Sequence, residues 1–196
     1  MDSEKALDHV FTSLREGADL RTGIADDCGE VIVEAAMLIS DCLKSGGKLL
    51  LFGNGGSAAD AQHLAAEFVG RFRAERRALP AIALTTDASI LTAVGNDYGF
   101  DQIFSRQIQA LGEANDVAVG ISTSGNSPNV IAGMQEASKQ KLKTIGLAGN
   151  DGGAVAKAAD VRIVISSANT ARIQECHITI GHILCELVEK DFFADL

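Results

Sequence analysis

The chain has 196 residues, 46% hydrophobic and 22% charged, enough for one globular domain whose core needs neither disulfides nor a metal. A formal net charge of −9, no tryptophan and a single tyrosine, Tyr98, exclude the basic face and aromatic platforms of a nucleic-acid binder, and argue equally against an anionic-membrane surface. The N-terminal "MDSEKALDHV" is charged and no run is long enough to cross a bilayer, so a cytoplasmic protein is expected.

In chain order, Leu7, Val10, Phe11 and Leu14 share one face at helical spacing and predict a first helix. A second is predicted over about residues 24–45, with Val31, Ile32, Ala35, Leu38, Ile39 and Cys42 on its apolar side and "KSGGK" as its stop. Residues 1–46 thus read as two N-terminal helices ahead of an α/β core over 47–196, in one domain spanning 1–196. Five apolar runs follow: "KLLLFG" (48–53), "AIALTT" (81–86), "DVAVGIS" (116–122), "LKTIGLAG" (142–149) and "VRIVIS" (161–166). Each is apolar on successive residues, as strands covered on both faces are. Their alternation with helical segments predicts a doubly wound, five-stranded parallel sheet flanked by helices. The last segment, "TARIQECHITIGHILCELVEKDFF", is apolar around much of its circumference, which points to burial on most sides and, with the N-terminal helices, to packing against another copy of the chain. Cys28, Cys42, Cys176 and Cys185 show no C-x-x-C spacing and read as reduced, buried thiols.

Ligands of open parallel sheets bind at the carboxyl ends of the strands. "GNGGSA" (53–58) after the first strand fits G-x-G-x-x-A, and Asp87 after the second could serve a nucleotide ribose; without a following Lys-Ser or Lys-Thr a nucleotide P-loop is worse supported. Ser57 is placed to cap the helix or to bind an anion. "ISTSGNSPN" (121–129) sets Ser122, Thr123, Ser124 and Ser127 around Gly125, ahead of a helix beginning near Ser127 and Pro128. Two such loops at one sheet edge favour a phosphate held by hydroxyls and amides without fixed cations. His63 and Glu67, four apart, lie about 6 Å from each other on the helix that starts at the first loop, suited to a metal or to proton transfer. Gln174 and His182 share an angular position on the last helix but lie about 12 Å apart along it. His177 reads as structural and His9 as solvated.

"GNGGSAADAQHLAAEFVGRF", "RRALPAIALTTDASILTAVGNDYGF", "GISTSGNSPNV" and "TARIQECHITIGHILCELVE" together resemble the phosphoheptose isomerases of the sugar isomerase (SIS) domain family, over nearly the whole chain. The resemblance implies the SIS fold and a cytoplasmic homotetramer. Its activity would convert sedoheptulose 7-phosphate into D-glycero-D-manno-heptose 7-phosphate, the first step toward the ADP-heptose of lipopolysaccharide core. One zinc per subunit would sit on His63, Glu67, Gln174 and His182. Substrate contacts would fall on Asn54, Gly55, Gly56, Ser57, Glu67, Asn96, Asp97, Ser122, Thr123, Ser124, Ser127 and Gln174, with Glu67 and His182 as the acid–base pair. Asn169 departs from the acidic residue expected at its position, and Cys176 is a small apolar variant. The chief alternative is a non-catalytic SIS scaffold that binds the replication initiator; such relatives lose the glutamate of H-x-x-x-E and vary the glycine loop, whereas Glu67, Gly56 and Ser57 are present here. An arabinose 5-phosphate isomerase with its regulatory domain does not fit in 196 residues, and a DNA-reading regulator lacks its helix-turn-helix.

Overall fold

A computed structural model describes residues 2–193. The two helices expected at the N-terminus are one, α1 (Ser3–Lys44), capped by Asp2, whose carboxylate accepts the Glu4 N–H at 3.1 Å. Two glycines and no proline separate the predicted halves, and Gly17 is buried against Arg172 and Glu175 of the last helix rather than breaking the run. Ser45 and Gly46 end α1 where "KSGGK" was expected to.

The five apolar runs form β1 (Leu49–Gly53), β2 (Ala81–Ala83), β3 (Val117–Ser122), β4 (Lys143–Gly149) and β5 (Val161–Ile165). All pair in parallel, in the order β2-β1-β3-β4-β5. Helices α2 (Gly56–Val69), α3 (Ala88–Tyr98), α4 (Ser105–Leu111), α5 (Pro128–Lys139), α6 (Gly153–Lys157) and α7 (Thr170–Phe192) complete the SIS fold. Alternate residues of β1 explain why its run is apolar throughout. Leu49 and Leu51 enter the layer built with α1, α2 and α7, while Leu50 and Phe52 pack with Phe104 and Ile108 of the α4 side and with Met134 of α5.

No large apolar side chain of α7 is left exposed among the described residues, because α1, α2 and the sheet cover it within the chain. An uncovered apolar face lies instead on the first half of α1, where Leu7, Val10, Phe11 and Leu14 are 49–62% exposed, and Val33 and Met37 further along α1 are exposed to the same degree. All four cysteines are buried and free, as expected, and burial raises the Cys185 thiol to about 12.

His177 is structural, as its position suggested: it is 1% exposed and neither ring nitrogen has a hydrogen-bond partner. Burial lowers its pKa to about 4. The imidazole is therefore neutral in the fold, whereas the unfolded chain takes up a proton near pH 6.5. Stability falls as pH drops from about 6.5 to 4, by about 3 kcal/mol when fully developed. Urea midpoints measured across that range should decline more steeply for this chain than for His177→Leu; equal slopes would remove His177 as the cause.

Candidate active site

The loops after β1 and β3 leave the sheet at its topological switch, since β1 is followed in sequence by β2 on one side and lies beside β3 on the other. Two features shape the crevice between them. Gly55 takes φ +55° at the start of α2, and Gly125 takes φ +67°, with any Cβ there 2.5 Å from the Gly152 carbonyl oxygen. Across the crevice Asn54 and Asn129 exchange two side-chain hydrogen bonds, each 2.8 Å, and Asn129 is 2% exposed. The pair ties the two loops together.

The Ser122 hydroxyl lies 2.8 Å from that of Ser127 and 3.3 Å from that of Ser124, so three of the four predicted hydroxyls cluster at the start of α5. Ser127 is the N-cap residue of α5 and Pro128 its first residue, as expected; the Ser127 side chain makes no capping bond to the helix N–H groups. A cleft of about 410 Å³ opens alongside, lined by Asn54, Gly56, Ser57, Thr123, Thr170, Ala171 and Gln174. Thr170 and Ala171 open α7 and were not singled out from sequence. Ser57 lies inside the first turn of α2, past the N-cap residue Gly55, and makes no capping bond, contrary to the capping role considered for it.

Further along α2, Asp60 accepts from Gln174 Nε2 at 2.7 Å. The carboxylate is buried with its other oxygen unpartnered; burial raises its pKa, against the lowering effects of Gln174, His63 and His182. Sequence reasoning missed Asp60, although three-residue steps from Ser57 and to His63 place all three on one face. One turn on, His63 Nε2 lies 2.9 Å from His182 Nε2 and 3.3 Å from Glu67 Oε1, and ligand atoms of all three residues fall within 4.8 Å of one another. Phe72 stacks on the His182 ring, centroids 5.8 Å apart. Residues from α2 and α7 that are more than a hundred positions apart thus meet beside the cleft.

The sequence profile of the SIS domain family matches residues 11–149. The phosphoheptose isomerase of Aquifex aeolicus is 56% identical over 184 residues, covering 94% of this chain and 96% of the relative. Among solved structures, the phosphoheptose isomerase of Neisseria gonorrhoeae superposes with a TM-score of 0.90 at 46% identity, covering 94% of this chain and 99% of the other. That of Francisella tularensis superposes at 0.91 with 39% identity, covering 94% and 98%. The chain belongs to the phosphoheptose isomerase family.

Membership makes the chain a sugar-phosphate isomerase and sets aside the scaffold reading, in which no chemistry would be asked of Glu67. It also sets aside the dinucleotide reading of "GNGGSA": the Asp87 carboxylate caps α3, accepting the Ile90 N–H at 2.9 Å. Asn169 is likewise a helix cap, accepting from the Ala171 and Arg172 N–H groups of α7, which an amide oxygen does as well as a carboxylate. Asn96 and Asp97 sit on the surface helix α3; the Asn96 amide donates to Asp97 at 2.8 Å and to no other predicted site residue.

The His63–Glu67–His182 cluster suits a metal. Two imidazole nitrogens and a carboxylate oxygen match zinc's donor preferences, and two nitrogens on one tetrahedral zinc would stand about 3.3 Å apart. The 2.9 Å between His63 and His182 needs only a small spreading to meet that. Gln174 Nε2 is engaged by Asp60, which leaves its amide oxygen as the free end.

Proposed function

We propose that the reaction is the interconversion of sedoheptulose 7-phosphate and D-glycero-D-manno-heptose 7-phosphate, the opening step toward ADP-heptose for lipopolysaccharide core. It would take place in the cytoplasm, in a homotetramer with one zinc per subunit. The observation that carries this reading is the junction of two unlike sites on one helix: α2 starts at a cleft lined by Ser57 and Thr123 and presents His63 and Glu67 to His182 two to three turns later. At 1.5 Å per residue the gap from Ser57 is about 9 Å to His63 and about 15 Å to Glu67. A seven-carbon sugar phosphate spans that distance.

In this reading Ser122, Thr123, Ser124 and Ser127 take the phosphate, aided by the α5 dipole, and Asn54, Gly55, Gly56, Ser57 and Gln174 line the carbon chain. Aldose–ketose isomerisation moves one proton from C1 to C2 through an enediol(ate), while the C1 and C2 oxygens exchange another. Glu67 and His182 form the pair that handles these protons, one at carbon and the other at oxygen. His63, Glu67 and His182, with the amide oxygen of Gln174, would hold zinc, which when bound supplies Lewis-acid stabilisation of the developing oxyanion.

Two observations favour an oligomer with shared sites. Among the described residues, none covers the apolar face of the first half of α1, and no hydrogen bond joins Asn96 or Asp97 to the cleft. In this reading residues 1–46 serve assembly and 47–196 carry the chemistry. The decisive assay measures sedoheptulose 7-phosphate isomerisation by metal-stripped and zinc-restored protein. Activity should vanish on stripping and return with zinc. No turnover in either state would bring back a non-catalytic role.

A further inference from the structure

The turn after α2, "GRFRAERR" (70–77), is built around an ion pair that the isomerase chemistry has not used. Glu189 of α7 is buried. Its carboxylate accepts the backbone N–H groups of Phe72, Arg73 and Ala74 at 3.2, 2.9 and 2.7 Å, and Arg76 Nε at 2.9 Å. The Arg76 side chain is 2% exposed, and its remaining donors reach main-chain carbonyls: Nη2 to Glu67 at 2.7 Å, and Nη1 to Phe68 at 3.0 Å, Gly70 at 3.4 Å and Arg77 at 3.0 Å. Helix α2 ends at Gly70 without a left-handed cap, so Arg76 takes over the carbonyls that such an end leaves unpaired.

What this node touches is the isomerase centre. The carbonyl that Arg76 holds most tightly is that of Glu67, whose side chain lies in the His63–Glu67–His182 cluster. One of the N–H groups held by Glu189 belongs to Phe72, whose ring stacks on His182. Glu189 itself lies seven residues, about two turns, beyond His182 and therefore on the same side of α7. Burial would raise the Glu189 pKa, but the N–H groups of Ala74 and Arg73, then Arg76 and Phe72, outweigh it and hold the carboxyl below its usual range, so the charge persists. A buried ion pair contributes little net stability compared with apolar packing. Directional hydrogen bonds on two helices at once are what it supplies and apolar residues do not.

We propose that Arg76 and Glu189 are positioning residues for the isomerase: they lock the turn after α2 to α7 so that Glu67 and His182, carried on different helices, meet at the reacting carbons. The proposal rests on the reading that His63, Glu67 and His182 form the reacting end of the site.

The test compares Glu189→Gln, Glu189→Asp and Arg76→Lys with the unmodified chain, reading zinc affinity by chelator competition, kcat and KM for sedoheptulose 7-phosphate, and thermal midpoint. Asp116→Asn serves as control, because it breaks the 2.7 Å Lys48–Asp116 pair at the opposite, amino end of the strands. Zinc affinity and kcat should each fall at least about tenfold in the Glu189 and Arg76 variants, as for residues that orient metal ligands. KM should stay within about threefold, since the phosphate loops are held separately. The control should lower the thermal midpoint and leave zinc affinity unchanged. Wild-type zinc affinity and kcat in folded Glu189→Gln and Arg76→Lys would overturn the proposal; so would unfolding of Glu189→Asp, which would make the pair a general prop. If the unmodified chain neither binds zinc nor turns over, it is the underlying reading that fails.

Discussion

Glu67→Gln and His182→Ala are each expected to lower isomerase turnover by about 10²–10⁴-fold, the usual contribution of a positioned acid or base. Glutamine keeps the shape of Glu67 and its place 3.3 Å from His63, but its neutral amide cannot serve as the acid or base of the pair. Alanine at 182 removes the imidazole that lies 2.9 Å from His63 and under the Phe72 ring. Because the two side chains act together in one isomerisation step, the double variant should be little worse than the poorer single one. Both losses should appear in kcat at saturating substrate, with circular dichroism and thermal midpoint showing an intact fold. Full turnover in either folded variant would take that residue out of the acid–base pair.

The second large effect belongs to the loops. Asn129→Asp is expected to raise KM for the sugar phosphate about 10–100-fold with a smaller change in kcat. The aspartate can still accept from Asn54 Nδ2, but it has no N–H to return to Asn54 Oδ1, and a broken buried hydrogen bond costs about 1–3 kcal/mol. It also places a negative charge beside the cleft proposed to receive a dianion, in a setting where charges are poorly screened. Asn129→Leu separates the two effects: it unties the loops without adding charge, and should raise KM less. A KM unchanged in both variants would mean that the asparagine pair does not set the spacing of the two loops for binding.

The sheet was legible in the sequence because its central strands β1, β3 and β4 are buried on both faces. An uninterrupted run such as "LLLFG" has few other homes, and parallel pairing then follows from the helices between runs. The loop motifs were legible for a related reason. Glycines and hydroxyls concentrated at strand ends mark backbone that must turn sharply and offer hydrogen bonds, as Gly55, Gly125 and Ser122 do. The N-terminus misled because helical periodicity reports which face is apolar and not whether anything covers it. Two apolar stretches therefore read as two helices, where one 42-residue helix has a buried stripe along its second half and a bare apolar stripe along its first.

By itself, the order of residues determined the family, the layered sheet and which side chains could do the chemistry, since these depend on local pattern and on the chemical type of each residue. Only the tertiary structure decided that Asp60 would grip Gln174, that His63 would meet His182 across 119 positions, and that Arg76 and Glu189 would tie together the helices bearing Glu67 and His182. Such contacts depend on how α2 and α7 pack, and packing is set by the shape of the whole core, which no spacing along the chain encodes.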